Sequence, residues 1–193
     1  AAGETLWVLP GTYRTGSVAH KDGVTVRSRV VVHSDRRVIS TDGAEKTFIV
    51  GEPASSPDSY GCGTDGVRGA YLFKNSLLKG FTVTGGRCSD DAAANLSDNN
   101  AGGGIDGAGR GMNNLVDSCI VSNNVARFGG AVARCDVVNS IVAGNRATSR
   151  ASAFRQANAY NCLVRGNVGN NPMDYCNEIL NCTVLADNVA DNG

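Results

Sequence analysis

Apolar positions in the second half of the chain recur as short strings at a long period, and nowhere do they form the 3.6-residue stripe of an amphipathic helix. Four segments superimpose: Val116-Asp117-Ser118-Cys119-Ile120-Val121-Ser122-Asn123-Asn124, Val138-Asn139-Ser140-Ile141-Val142-Ala143-Gly144-Asn145, Tyr160-Asn161-Cys162-Leu163-Val164-Arg165-Gly166-Asn167 and Leu180-Asn181-Cys182-Thr183-Val184-Leu185-Ala186-Asp187-Asn188. The shared pattern is apolar, Asp/Asn, Cys/Ser, apolar, Val, two variable positions, Asn. Aligning Cys119, Ser140, Cys162 and Cys182 gives steps of 21, 22 and 20 residues. A fainter copy, Leu78 to Gly86, lies 39 residues upstream of Cys119, close to two steps.

A period near 21 built from β-rich strings predicts one coil of a parallel β-solenoid, each turn stacking on the last at ~4.8 Å. Helical solenoids need longer units, and the Leu-x-x-Leu-x-Leu frame of leucine-rich repeats is missing. The string Val137 to Val142 is preceded in its coil by a second strand region, Gly129 to Arg134, with counterparts at Gly102 to Gly107, Ala151 to Gln156 and Asn171 to Tyr175. The expected fold class is all-β, a parallel β-helix of roughly 20–22 residues per coil with loop excursions, in a single domain over 1–193. Stacking turns like residues into files. Asn124, Asn145, Asn167 and Asn188 are expected to form an inward ladder, each bonding backbone and the next Asn. Cys119, Ser140, Cys162 and Cys182 suit small side chains facing a narrow interior, the thiols acting as compact hydrophobes.

Upstream, the strings Leu6 to Leu9, Val24 to Val26, Val30 to Val32, Val38-Ile39 and Phe48 to Val50 are broken by Pro-Gly and Asp-Gly turns and predict two or three irregular coils within 1–50. Residues 51–67, rich in Pro, Ser and Gly, and 86–101, rich in Asp, Asn and Ala, are expected to leave the coils as loops, with regular coils over 102–193. Cys62 and Cys88 fall at the edges of those loops, and position makes them the pair expected to form a disulfide.

Lys and Arg number 18 against 18 Asp and Glu, so net charge makes no case for nucleic acid or an anionic membrane as partner. No apolar run approaches the ~20 residues of a membrane-spanning helix. Seven cysteines, an odd number, leave at least one unpaired or paired between chains. No CxxC occurs, and His20 and His33 stand alone, so neither zinc nor a His-activated nucleophile is expected. Gly102 to Gly107 satisfies GxGxxG but lacks the helix a dinucleotide site requires, and its glycines are expected to serve a bend or a crowded coil.

The opening Gly3-Glu4-Thr5-Leu6-Trp7-Val8-Leu9-Pro10-Gly11-Thr12-Tyr13 is similar to the first coils of right-handed parallel β-helix proteins of the pectin-lyase-like class. Val67 to Leu72, Leu78 to Gly86 and Phe128 to Val132 resemble bacterial surface proteins carrying such coils and, more distantly, the repeats of polymorphic outer-membrane and autotransporter passengers. The resemblance spans nearly the whole chain and implies the right-handed hand, secretion and surface display, with polysaccharide as the usual substrate of the enzymes. It is specific for fold and poor for function.

Lyases on that fold pair acidic calcium ligands with an Arg or Lys base, and hydrolases gather two or three Asp on one strand face. Neither pattern is intact, and no catalytic residue is assigned. Asp90, Asp91, Asp98 and Asp106, with Arg110 nearby in sequence, are the candidate calcium or sugar ligands, weighed against a solvated loop. One register places Asp106, Ala133, Arg155 and Asp174 in a column, with Gly107, Arg134, Gln156 and Tyr175 beside it. Facing outward, Arg134, Arg155, Asp174 and Tyr175 would line a shallow groove for sugar hydroxyls, or simply keep a β-face soluble.

The repeat is still running at Asn188, and a solenoid exposes unpaired backbone at its end coils. The segment is therefore expected to continue into a longer protein or to meet other copies of itself. Two functions follow: a non-enzymatic extracellular scaffold or adhesin-like module, and, as the alternative, a polysaccharide lyase, glycoside hydrolase or sugar-binding β-helix.

Overall fold

The computed structural model describes residues 3–21, 23–89, 98–185 and 188–189. Its strands pair in parallel into three long sheets of seven, seven and six strands. The first sheet runs from Thr5–Val8 through Arg37–Ser40, Leu77–Lys79, Leu115–Asp117, Asp136–Val138 and Ala159–Tyr160 to Ile179–Leu180. The second runs from Gly11–Tyr13 through Thr47–Val50, Thr82–Thr84, Ile120–Ser122, Ile141–Ala143 and Leu163–Arg165 to Thr183–Val184. The third holds Arg27–Val32, Val67–Leu72, Ile105–Gly107, Val132–Ala133, Phe154–Arg155 and Met173–Asp174. The chain visits third, first and second sheets in turn and then returns one coil further on, which is a parallel β-helix.

Strand alternation and stacking together generate the core. Val38, Leu78, Val116, Val137 and Ala159 form one inward file, Ile49, Val83, Val121, Val142 and Val164 a second, and Ala70, Ile105, Val132 and Phe154 a third. All are buried in one cluster. Each Val, Leu or Phe taken from water contributes about 1.5–3 kcal/mol.

The corners account for the polar part of the repeat. Ser118, Asn139, Asn161 and Asn181 have φ between 52° and 54°, the left-handed region that Asn tolerates better than most side chains. That single residue turns the strand of the first sheet into the second and points the next residue inward, which is why Cys119, Ser140 and Cys162 are buried. The Ser140 Oγ accepts the Cys119 amide at 3.0 Å and donates to the Val138 carbonyl at 2.6 Å. Val137 to Val142 is thus two strands in two sheets parted at Asn139-Ser140, and each coil has three strands where the strings suggested two.

At the next corner the Asn file is complete. Asn124 Nδ2 donates to Asn145 Oδ1 at 3.0 Å, Asn145 to Asn167 at 2.9 Å and Asn167 to Asn188 at 2.9 Å. The same oxygens accept the backbone N–H of Asn124, Asn145 and Asn167 at 3.0–3.1 Å. The second amide hydrogens go to the carbonyls of Val83, Val121 and Val142. Gly86 ends the file, its N–H donating to Asn124 Oδ1 at 2.8 Å, because a Cβ there would lie 2.0 Å from the Gly103 carbonyl oxygen.

Four sequence expectations change. The copy at Leu78 to Gly86 lies one coil above Val116, not two: Leu78 pairs with Val116, and Lys79 meets Asp117, 38 residues on. The excess length is the 86–101 segment, and Phe81 fills the position that Cys119 takes in the next coil. Val24 to Val26 is not a strand, although Val26 is fully buried against Cys88 and Ala126. The 1–50 region supplies one full coil, preceded by strands in the first and second sheets alone. Finally, Cys62 and Cys88 are not bonded, and all seven cysteines are thiols. Cys88 Sγ is turned to the Ala101 carbonyl at 3.2 Å and the Arg68 guanidinium at 3.6 Å, whereas Cys62 Sγ faces Val125.

Two outcomes are expected. Asn145→Ala leaves the Asn124 amide and a Val121 carbonyl without their side-chain partner in the dry interior, and at about 1–3 kcal/mol per orphaned group the loss in denaturant unfolding should reach about 3 kcal/mol. Burial pushes the thiols of Cys62 and Cys119 up to about 12 and that of Cys162 to about 11. Native protein at pH 8 should therefore leave these thiols unlabelled by a disulfide reagent, with seven equivalents released on denaturation; five would mean that one disulfide exists.

Candidate functional site

The long excursions leave the helix at one corner, between the second sheet and the third. Residues 14–21, 23–26, 51–66, 85–89 and 98–104 lie there, and in the regular coils the same corner carries the paired strands Val125–Phe128 and Arg146–Arg150. They cover the outer face of the third sheet. The outward file there is Val31, Tyr71, Asp106, Ala133, Arg155 and Asp174, as the register predicts. Covering explains why these outward residues are dry: Tyr71 is 3% exposed, Asp106 0% and Arg155 7%.

The first cluster on this face is ionic. Arg134, the corner residue next to Ala133 at φ 58°, turns its guanidinium back onto the sheet. Its Nε and Nη2 hold both oxygens of Asp106 at 3.0 and 2.6 Å, and Nη2 also reaches Asp98 at 2.7 Å. Arg68, fully buried, sits 3.4 Å from Asp106 and donates to the carbonyls of Gly102 and Ala101 at 3.0 and 2.7 Å. From the 14–26 excursion, His20 stacks on Tyr71 with centroids 3.6 Å apart and lies 3.6 Å from Asp98, while Lys21 pairs with Asp98 directly. Burial alone would raise the Asp98 carboxyl; His20, Lys21 and Arg134 outweigh it and hold the group well below the usual range. Burial would likewise favour neutral Arg134, but Asp106 and Asp98 raise it above the ordinary guanidinium value.

This geometry revises the candidate ligands. Asp98 and Asp106 do converge, but a guanidinium stands between them where calcium was expected, and no metal-holding group of three forms among the described residues. Asp90 and Asp91 lie outside the described residues, and Arg110 is exposed on the segment leaving the Ile105–Gly107 strand. Arg134 does not join the groove with Arg155, because its side chain is spent on Asp106.

A second cluster lies one coil on. Arg155 pairs with Asp174, and its guanidinium lies over the rings of Phe128 and Tyr175, 5.1 and 4.7 Å from their centroids. With Arg127, Ser149, Arg150 and Gln156, the residues Phe128, Arg155 and Tyr175 line an open recess of about 460 Å³. Comparison with family models, curated proteins and solved structures finds no match to the chain. Function must therefore be argued from these two clusters and the coil itself. No helix among the described residues is long and apolar enough to cross a membrane.

Sequence reasoning reached Asp98, Asp106, Arg134, Arg155 and Tyr175 but missed Arg68, His20, Lys21 and Tyr71. The available signal was Arg68 inside the otherwise apolar string Val67 to Leu72, a charge with no reason to be in a strand unless its partner is buried too.

Two predictions test the ionic cluster. Asp106→Asn strips the counter-charge from two buried guanidiniums and should cost about 3–5 kcal/mol in urea unfolding, more than a surface ion pair. Because the folded Asp98 carboxyl is depressed, its stabilisation is present above the unfolded value of about 3.9 and falls away as pH drops below about 4. Acid-induced loosening in hydrogen exchange at 16–25 should follow that direction and be absent from Asp98→Asn.

Proposed function

We propose that this chain is a non-enzymatic β-helical scaffold of an extracellular or surface-displayed protein, of the pectin-lyase-like or autotransporter-passenger type, whose coils meet other copies end to end. The observation that carries this reading is the continuity of the files. The same inward columns run through the regular coils in unbroken register, and the strands Thr5–Val8 and Thr183–Val184 each have one partner only among the described residues. At those edges Leu6 (60% exposed) and Val184 (43%) occupy inward columns that are buried in the middle coils. An edge of unpaired amides beside an open apolar column is a template for another strand layer. The acidic side chains described at the face of the third sheet support the scaffold reading as well, since Asp98 from the excursion and Asp106 and Asp174 from the sheet serve as counter-ions to Arg instead of standing as an open carboxylate pair.

Sedimentation velocity from about 1 μM to 1 mM should show reversible growth into linear oligomers, weakened by Leu6→Lys or Val184→Lys. A species that stays monomeric throughout would remove end-to-end assembly. Release of new reducing ends or unsaturated products from a panel of polysaccharides would overturn the non-enzymatic assignment.

A further inference from the structure

We propose that Cys162 and Cys182 are a redox pair: a small disulfide oxidises Cys182, and Cys162 resolves the adduct into a bond that fastens the last described coil. The inference is independent of the scaffold reading.

Position in the coil is the first observation. Cys119, Ser140, Cys162 and Cys182 occupy one inward file, each following a left-handed corner residue. Ser140 parts Cys119 from Cys162, so this file makes neighbours of Cys162 and Cys182 alone. Their register is fixed on both sides, since Tyr160 pairs with Leu180 and Leu163 with Thr183. Strands so paired stand ~4.8 Å apart, inside the Cα separation of roughly 4.4–6.8 Å that a disulfide spans. The two residues are already in contact, Cys182 Sγ accepting the Cys162 amide at 3.3 Å. Each sulfur also donates to the carbonyl two residues before it, Tyr160 or Leu180, at 3.3 Å.

Unequal exposure is the second. Cys162 is 3% exposed, and burial first, with the adjoining Cys182 thiol adding to it, pushes its thiol up to about 11. Cys182 is only partly buried. One thiol is therefore open to a dissolved oxidant and its neighbour is not. The other partly buried cysteine, Cys176, follows the corner at Tyr175 and has Ala157, after the corner at Gln156, as its file neighbour, so an adduct there meets no adjacent thiol.

The chemistry balances with oxidised glutathione as the oxidant. The Cys182 thiolate attacks one glutathione sulfur, the glutathione disulfide bond breaks, and one glutathione leaves as thiolate and takes up a proton. Cys162 then gives its proton to solvent and attacks Cys182 Sγ, expelling the second glutathione. Two protein thiols are oxidised as one glutathione disulfide is reduced, and Cys162 itself is never labelled. The new bond replaces the contacts to the Tyr160 and Leu180 carbonyls. It ties Ile179–Leu180 and Thr183–Val184, strands of two residues with one partner each among the described residues, to the neighbouring coil.

The test is incubation of the reduced whole chain with oxidised glutathione at pH 8, followed by alkylation under denaturing conditions and peptide mapping by mass spectrometry. Five of the seven cysteines should be alkylated, and one cross-linked peptide should join Cys162 to Cys182. Cys162→Ser should hold glutathione on Cys182 as a stable mixed disulfide, and Cys182→Ser should keep Cys162 reduced. Ser140 shows that the file accepts serine, and circular dichroism of both variants should match that of the parent chain. In the oxidised protein, amide exchange over Ile179–Val184 should slow about tenfold or more. The proposal is overturned if all seven thiols survive, if the bond forms between another pair such as Cys62 and Cys88, if Cys162→Ser takes up no glutathione at Cys182, or if exchange in the last described coil is unchanged.

Discussion

Every coil of this protein must turn three corners around an interior too narrow for water, and at each corner backbone amides and carbonyls lose their regular partners. The Asn file is the answer at one of them. Asn is the shortest side chain that offers both an acceptor and two donors, so a single residue type takes the amide of its neighbour in the file, bonds its side chain and still reaches a strand carbonyl. Because each rung's oxygen is shared between the side chain and the backbone of the same neighbour, register is fixed by polar groups as firmly as by the apolar files. An interior of Val and Leu alone would tolerate a coil that slips along its neighbour; a buried amide that loses its partner would not.

That constraint also says where the helix can grow. The corner after the Asn file is followed by small residues, Gly102 to Gly104, Gly129 to Ala131 and Ala151 to Ala153, where added atoms would strike backbone: a Cβ on Gly130 would lie 2.2 Å from the Arg146 carbonyl oxygen. Between the fixed Asn and this tight re-entry nothing sets the length of chain, so insertions of many residues are accepted there and closure of a longer loop costs little more than a short one. The excursions then have to be fastened. Arg68, Arg134, Asp98 and Asp106 do this between segments up to 66 residues apart in sequence, at the risk that any one of them, left alone, is a buried charge.

Legibility in the sequence follows the same division. Where the coil is uninterrupted, side-chain identity reports position directly, and the Asn file, the Cys/Ser file and the outward register through Arg155 and Asp174 could all be read from spacing. The corners were harder, because a single left-handed residue such as Asn139 separates two strands without breaking the apolar string around it. Phe81 in the place of a cysteine and a long excursion after Gly86 then made one coil count as two. The ionic cluster left little trace, since His20, Lys21 and Asp98 belong to irregular segments whose meeting with Arg68 depends on how loops fold over the sheet. Only a charged residue inside an apolar strand pointed to it.

Outward positions obey weaker rules than inward ones, and this is where a solenoid can acquire a task. Arg134, Gln156 and Tyr175 share one left-handed corner in successive coils, with φ of 58°, 53° and 54°, although a guanidinium, an amide and a phenol have little chemistry in common. Their backbone is dictated by the coil; their side chains are not. One turns back to neutralise Asp106, and the next two face the recess beside Arg155. A neutral total charge is compatible with this arrangement, the acids Asp98, Asp106 and Asp174 standing as counter-ions to arginines at the sheet face. The coil and the chemistry of its outer face are therefore separable properties of one chain: the inward files set where each corner stands, and the outward residue at that corner can change without disturbing them.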